Sequence, residues 1–175
     1  MAFRRDALEK VGGFDEGIRY GFDEDELVER ICRAGYKMVL DPDALVWHKH
    51  RSTLNALLKQ HLDFGRGGGI LLKKKRARDT LSTWCLLSLI IFVAWLTTIG
   101  SLAFLTLTAR LNIFLILLLG ISITPLLASI AFYTHQALQN KQYGRVLIYP
   151  LLDLLRAFTF CFGEIYELLK LGKKT

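Results

Sequence analysis

Charge is missing from two long stretches of this sequence. No Asp, Glu, Lys or Arg occurs from Thr80 to Ala109 or from Leu111 to Asn140. A soluble globule needs polar side chains at a regular spacing to cover its surface, so this gap excludes one ordinary soluble domain of 175 residues. Cysteine is as sparse. Cys32, Cys85 and Cys161 are too few for a disulfide-stapled secreted domain, and two of them sit inside apolar runs, where a thiol reads as a small buried hydrophobe. Fourteen glycines without a period exclude collagen, and a hydrophobic content of 52% excludes disorder.

What is present is charge of both signs, concentrated in the first part of the chain. The net charge of +7 invites a nucleic-acid reading, but residues 1–72 carry 11 Lys and Arg against 12 Asp and Glu and are close to neutral. The excess lies in Lys73, Lys74, Lys75, Arg76 and Arg78, immediately before the first uncharged run. Cytoplasmic flanks of membrane helices concentrate positive charge in this way, so the sequence predicts a partner in membrane lipid and none in nucleic acid.

The apolar runs are long enough to span a bilayer, for which about 20 residues suffice. They predict two transmembrane helices, about 82–107 and 111–133, joined by a tight hairpin whose polar punctuation is Arg110 and Asn112. Gly120 and Pro125 interrupt the second, which membrane helices tolerate. A third segment, about 146–162, carries Pro150, Asp153 and Arg156; it spans, dips in and returns, or lies in the interface. Asp153 and Arg156 are three residues apart and are expected to pair on one helical face. The expected division is therefore 1–72 as a catalytic piece, 73–80 as a basic juxtamembrane linker, 81–163 as the membrane region and 164–175 as a charged tail.

Residues 1–72 read as mixed α and β. Arg5 to Val11 is a short helix stopped by Gly12 and Gly13, and Glu24 to Ala34 a longer one stopped by Gly35. Tyr36 to Leu40 and Ala44 to His48 look like two strands around an Asp41-Pro42-Asp43 turn. Ser52 caps a helix expected to run to Phe64 and to end in the glycines that follow. Two strands cannot hide a sheet face alone, so the piece reads as the back half of a larger domain.

Asp23, Glu24, Asp25 and Glu26 are four consecutive carboxylates at a predicted helix start. Acidic residues stabilise a helix N-terminus by about 0.3–1 kcal/mol each. One or two would meet that need, and four adjacent anions repel one another, so the residues leave open a catalytic or metal-binding role beside the structural one.

The ordered set Arg4-Arg5-Asp6, Val11-Gly12-Gly13-Phe14-Asp15-Glu16, Asp23-Glu24-Asp25-Glu26-Leu27 with Arg30, Ala34-Gly35-Tyr36, Asp41-Pro42 and Val46-Trp47-His48 resembles the second half of a family 2 glycosyltransferase catalytic domain. The resemblance covers roughly residues 1–70. It implies an α/β fold class, a partial GT-A-like half followed by an α-helical transmembrane region. It implies inverting transfer of a sugar from a nucleotide diphosphate sugar to an acceptor hydroxyl, with a carboxylate as general base. The family's acidic pair falls on Asp23 and Glu24, with Glu24 at the usual base position. The family more often has Glu before Asp, and this inverted order leaves the base among Glu24, Asp23 and Asp25.

The resemblance also implies Mg²⁺ or Mn²⁺, with the main ligands in strands expected upstream of this chain, and points to His48 as a residue near the metal. Alternation puts His48 and His50 on one face. His50, Arg51, Gln60 and Arg66 are the implied diphosphate-binding residues. Processive members carry Gln-x-x-Arg-Trp where Gln60 stands; here the Arg comes six residues later with no Trp, which departs from polymer synthesis. The reading that follows is a plasma-membrane transferase with its catalytic part in the cytoplasm and a lipid-linked or membrane-proximal acceptor. Lacking the donor-binding half, the chain is expected to be inactive alone and to need a separate N-terminal half. The alternatives are a non-catalytic membrane partner or remnant and, more weakly, a transporter component.

Overall fold

The computed structural model describes residues 1–76, 78–108, 113–141 and 145–170. Six helices account for the regular structure: α1 (Arg5–Val11), α2 (Asp23–Arg33), α3 (Leu54–Lys75), α4 (Thr80–Thr108), α5 (Ile113–Asn140) and α6 (Arg145–Leu169). Among the described residues there is no strand, which overturns the α/β fold class expected from the sequence. Tyr36–Leu40 and Ala44–His48 are irregular and form no ladder. Their backbone bonds are local: Asp41 folds back on itself through its carboxylate, which accepts from the Asp43 N–H at 3.0 Å, and through its carbonyl, which accepts from Ala44. The reason is pairing. A strand is stable only when a neighbour takes its N–H and C=O groups, and no such neighbour stands beside these segments in the described chain. Their apolar side chains are uncovered, Val39 at 88% and Trp47 at 98% exposure.

The contacts divide the chain into two units, Met1–Leu86 with Thr159–Thr175, and Leu87–Phe158. In the first, α1 and α2 close a small core of Ala7, Leu27 and Ile31 with Phe3, Leu8, Val11 and Tyr36. The alignment of Leu27 and Ile31 on one face of α2 produces it. Gly12 at φ +81° ends α1 in the left-handed conformation expected there. A second core joins Ile18, Leu71, Leu72 and Cys85.

The largest departure from the sequence reading of this unit is α3. Thr53, not Ser52, caps it, accepting from Ala56 N–H at 3.3 Å, and the helix continues through the glycines to Lys75. Its glycine face exists for a close crossing with the end of α6: a Cβ on Gly65 would collide with the Phe160 carbonyl. Residues 73–75 are therefore helical. Asp79 then starts α4, its carboxylate accepting from the Ser82 N–H at 2.8 Å and its carbonyl from the Thr83 N–H at 3.0 Å.

Over Thr80–Leu105, α4 is long and apolar enough to cross a bilayer, and only 11% of its most apolar stretch is buried in protein. Among the described residues it is the one helix meeting that length and composition. Arg110, Asn112 and the tail lysines Lys173 and Lys174, which carried parts of the sequence reading, lie outside the described residues. In the second unit Trp95 Nε1 donates to the Ser122 carbonyl at 2.9 Å, Phe92 meets Phe158 edge to face, and Tyr133 donates to Asp153 at 2.5 Å. The expected Asp153–Arg156 pair is present at 3.1 Å.

Candidate active site

The four carboxylates open α2, and what precedes them decides how they are presented. Tyr20, Gly21 and Phe22 have φ of +75°, +130° and +66°. A non-glycine residue in the left-handed region costs about 1–2 kcal/mol, so this turn persists only if its surroundings hold it. They do so at each residue. The Arg66 guanidinium lies over the Tyr20 ring at 3.7 Å. Gly21 lies so close to Phe64 that a Cβ would come within 2.6 Å of its ring. Phe22 packs against Phe160 and Phe64 with ring centres 6.3 and 6.5 Å away. Arg66 is fixed in turn by Glu167, whose carboxylate accepts from Nε at 3.3 Å, by Asp63 at 3.7 Å and by the Tyr166 ring at 5.6 Å.

The carboxylates then separate by environment. Glu26 is 2% exposed and accepts from Arg30 at 2.9 Å and from Lys75 at 2.7 Å. Burial pushes its carboxyl up, but the Arg30 and Lys75 donors outweigh that and leave it below the ordinary glutamate range. Arg30 also donates to the Val11 and Gly13 carbonyls, both at 2.7 Å, so the Glu26–Arg30 pair locks α2 to the end of α1. Glu24 and Asp25 are exposed and Asp23 is half-buried, which leaves these three at the surface of the turn.

Beside the turn lies a concavity of about 450 Å³ lined by Tyr20, Arg51, Lys59, Gln60, Asp63 and Phe64. It brings together Arg51 and Gln60, two of the residues expected at the diphosphate. Among the described residues neither Arg51 nor Lys59 has an ion-pair partner. Two cations facing one polar hollow suit an anionic ligand. Tyr20 ties the hollow to the acidic turn, since Asp23 stands only three positions on, at most about 11 Å of chain away.

His48 and His50 stand together, ring centres 5.0 Å apart, but on the exposed irregular segment and outside the hollow's lining. Among the described residues no group of three or more His, Cys, Asp or Glu side chains could hold a metal ion, so these residues do not by themselves fit Mg²⁺ or Mn²⁺. Sequence reasoning passed over Lys59 and Tyr20. Lys59 adjoins Gln60, and an aromatic-Gly-aromatic string directly before an acidic run is a legible turn signal. Tyr166 and Glu167, a hundred residues away in sequence, gave none.

The model of glycosyl transferase family 21 matches residues 1–161. The chain belongs to glycosyl transferase family 21. No curated protein and no solved structure matches it. The matched span takes in the acidic turn, the cationic hollow and the apolar helix α4, and it stops short of Glu164, Tyr166 and Glu167. Sugar transfer is thus the activity class of family 21, and the likeness to glycosyltransferases read from the motifs is met at that level, in family 21 where the motifs suggested family 2.

Proposed function

We propose that the chain supplies the acceptor-side machinery of a membrane-bound transferase that moves a sugar from a nucleotide diphosphate sugar to an acceptor hydroxyl with inversion. The observation that carries this reading is the turn at Tyr20–Phe22, which sets surface carboxylates at one end and the cationic hollow at the other. Glu24, or Asp23 or Asp25 beside it, takes the hydroxyl proton as the oxygen bonds to the anomeric carbon. The bond from that carbon to the diphosphate oxygen breaks, and the electron pair leaves with the nucleoside diphosphate. Arg51 and Gln60 hold the diphosphate, with His50 nearby. A divalent cation, Mg²⁺ or Mn²⁺, would offset the charge of the diphosphate leaving group, with His48 as the residue of this chain that would contact it, and the proton transfer does not pass through it.

The long apolar helix α4 favours a membrane setting, and a cytoplasmic face of the plasma membrane with a lipid-linked or membrane-proximal acceptor fits a site that a membrane-crossing segment follows directly in the chain. Cells lacking the gene and complemented with the wild-type chain or with Asp23→Asn, Glu24→Gln or Asp25→Asn test the reading in their membranes. One of the three is expected to lower transfer from labelled donor by 10²-fold or more at unchanged protein level. Full transfer by all three overturns it.

A second reading rests on a different observation, the uncovered side chains of Val39, Leu40, Leu45, Val46 and Trp47. So large an exposed apolar set favours a chain that works against a second polypeptide, either a separately encoded donor half or a complex in which this chain is not itself catalytic. Co-purification of a soluble nucleotide-sugar-binding protein with the tagged chain, lost on Val46→Asp with Trp47→Asp, is the result that favours it.

A further inference from the structure

Arg66 is the arginine that sequence position puts at the diphosphate, and it is the cation in this region most engaged by the protein itself. Its guanidinium lies over the Tyr20 ring at 3.7 Å, bonds Glu167 at 3.3 Å, pairs with Asp63 at 3.7 Å and lies 5.6 Å from the Tyr166 ring. Two carboxylates offset its charge and two rings flank it, so a phosphate approaching Arg66 would compete with anions and rings already placed against it. Lys59 lies less than two turns earlier on α3, is exposed, lines the hollow with Arg51 and has no ion-pair partner among the described residues.

We propose that Lys59, with Arg51, is the anion-binding cation of the hollow, and that Arg66 is a positioning residue clamping the Tyr20–Phe22 turn to the end of α6. This rests on the transferase reading and gives its ligand a different anchor. The clamp makes the last turns of α6, Tyr166 and Glu167, part of the apparatus that presents Asp23 and Glu24. Both lie beyond the span matched by family 21.

The two roles separate in one set of measurements on the full chain in detergent micelles, with inorganic pyrophosphate as the probe. Lys59→Gln is expected to weaken pyrophosphate binding about tenfold, the worth of one charge-assisted contact, and to flatten its salt dependence. Arg66→Gln is expected to leave affinity within about twofold and salt dependence unchanged. Hydrogen exchange of the amides from Phe22 to Leu27 is expected to speed up in Arg66→Gln, partly recover in Arg66→Lys, and stay at the wild-type rate in Lys59→Gln. In the membrane transfer assay Lys59→Gln raises the donor KM, whereas Arg66→Gln lowers kcat with KM kept.

Equal loss of pyrophosphate binding in Arg66→Gln and Lys59→Gln overturns the assignment, as does wild-type protein that binds no pyrophosphate. Transfer that depends on Asp23, Glu24 or Asp25 but is indifferent to Lys59 sinks this inference and leaves the transferase reading standing. Transfer indifferent to all four sinks both.

Discussion

The two units of the chain are held by different means. In Met1–Leu86 with Thr159–Thr175, charge does the tying: Lys74 meets Asp15 at 2.6 Å, Lys75 meets Glu26 at 2.7 Å, Arg66 meets Glu167 at 3.3 Å, and Lys73 donates to the Lys170 carbonyl at 2.9 Å and also to that of Glu167. In Leu87–Phe158 the contacts are aromatic packing and a few neutral or singly paired polar groups. The difference teaches that a charge count says where cations are, not what they are available for. The run Lys73–Lys75 reads in the sequence as a membrane flank, yet each of the three is bound within the protein. That leaves Arg76 and Arg78, both exposed, as the cations of the cluster with no ion-pair partner among the described residues.

If charge holds the first unit, removing its most buried ion-paired carboxylate has the largest effect. Glu26→Ala leaves Arg30 and Lys75 without their shared carboxylate and is expected to cost about 3–5 kcal/mol, the range for breaking a buried pair from one side. Chemical unfolding in detergent reads this, and a loss below about 1 kcal/mol would show that the network is ornamental. Gly65→Val comes next. The added side chain meets the Phe160 backbone, which cannot swing away as a side-chain tip can, so about 3 kcal/mol and separation of α6 from α3 are expected. Protease sensitivity after Phe160 measures the separation, and unchanged protection would refute the crossing.

These two positions also show how far the sequence was legible. The ends of α1 follow from stop signals within a dozen residues, and the structure has the helix at those bounds. The run Gly65–Gly69 was read as a helix end because glycine weakens a helix by about 1 kcal/mol per residue. It is helical because α6 lies against it, a partner about a hundred residues away that no local pattern announces. The strands failed for the converse reason. Met38–Leu40 and Leu45–Trp47 have strand composition, but composition does not supply a neighbour. At the site, the acidic turn and the residues Arg51 and Gln60 were legible as types in order. The engagement of Arg66 was not, since it depends on Tyr166 and Glu167.

Glu164 sharpens the comparison through pH. It is fully buried, has no ion-pair partner and neither carboxylate oxygen is hydrogen-bonded among the described residues, and it lies beyond the apolar third segment. Burial pushes its carboxyl up to about 8. A raised pKa in the folded state means that its contribution is complete below the ordinary value of 4.5 and is lost as pH rises towards 8. The expected slope approaches one proton, about 1.4 kcal/mol per pH unit across that window. Glu164→Gln cannot ionise, so the wild-type-minus-variant difference in unfolding free energy should fall steadily between pH 5 and 8 and then level off. Glu26 slopes the other way, its stabilisation present above the ordinary glutamate range and lost in acid below it, so the two carboxylates are distinguishable in one titration. A flat difference curve for Glu164→Gln would mean that a cation or donor reaches that carboxyl.

The smallest effect belongs to the second unit. Trp95→Phe removes the bond from the indole N–H to the Ser122 carbonyl while keeping an aromatic ring in place. Hydrogen bonds between helices in a bilayer average about 0.6 kcal/mol, because alternative partners are found in the unfolded-in-membrane state as well. Ser122 keeps its helical backbone, so its carbonyl is not orphaned by the change. The expected loss is therefore under 1 kcal/mol, several-fold below that of Glu26→Ala, in the same detergent and by the same unfolding readout. A loss of 2 kcal/mol or more would place a load-carrying polar contact in the apolar unit and would collapse the contrast from which these predictions start.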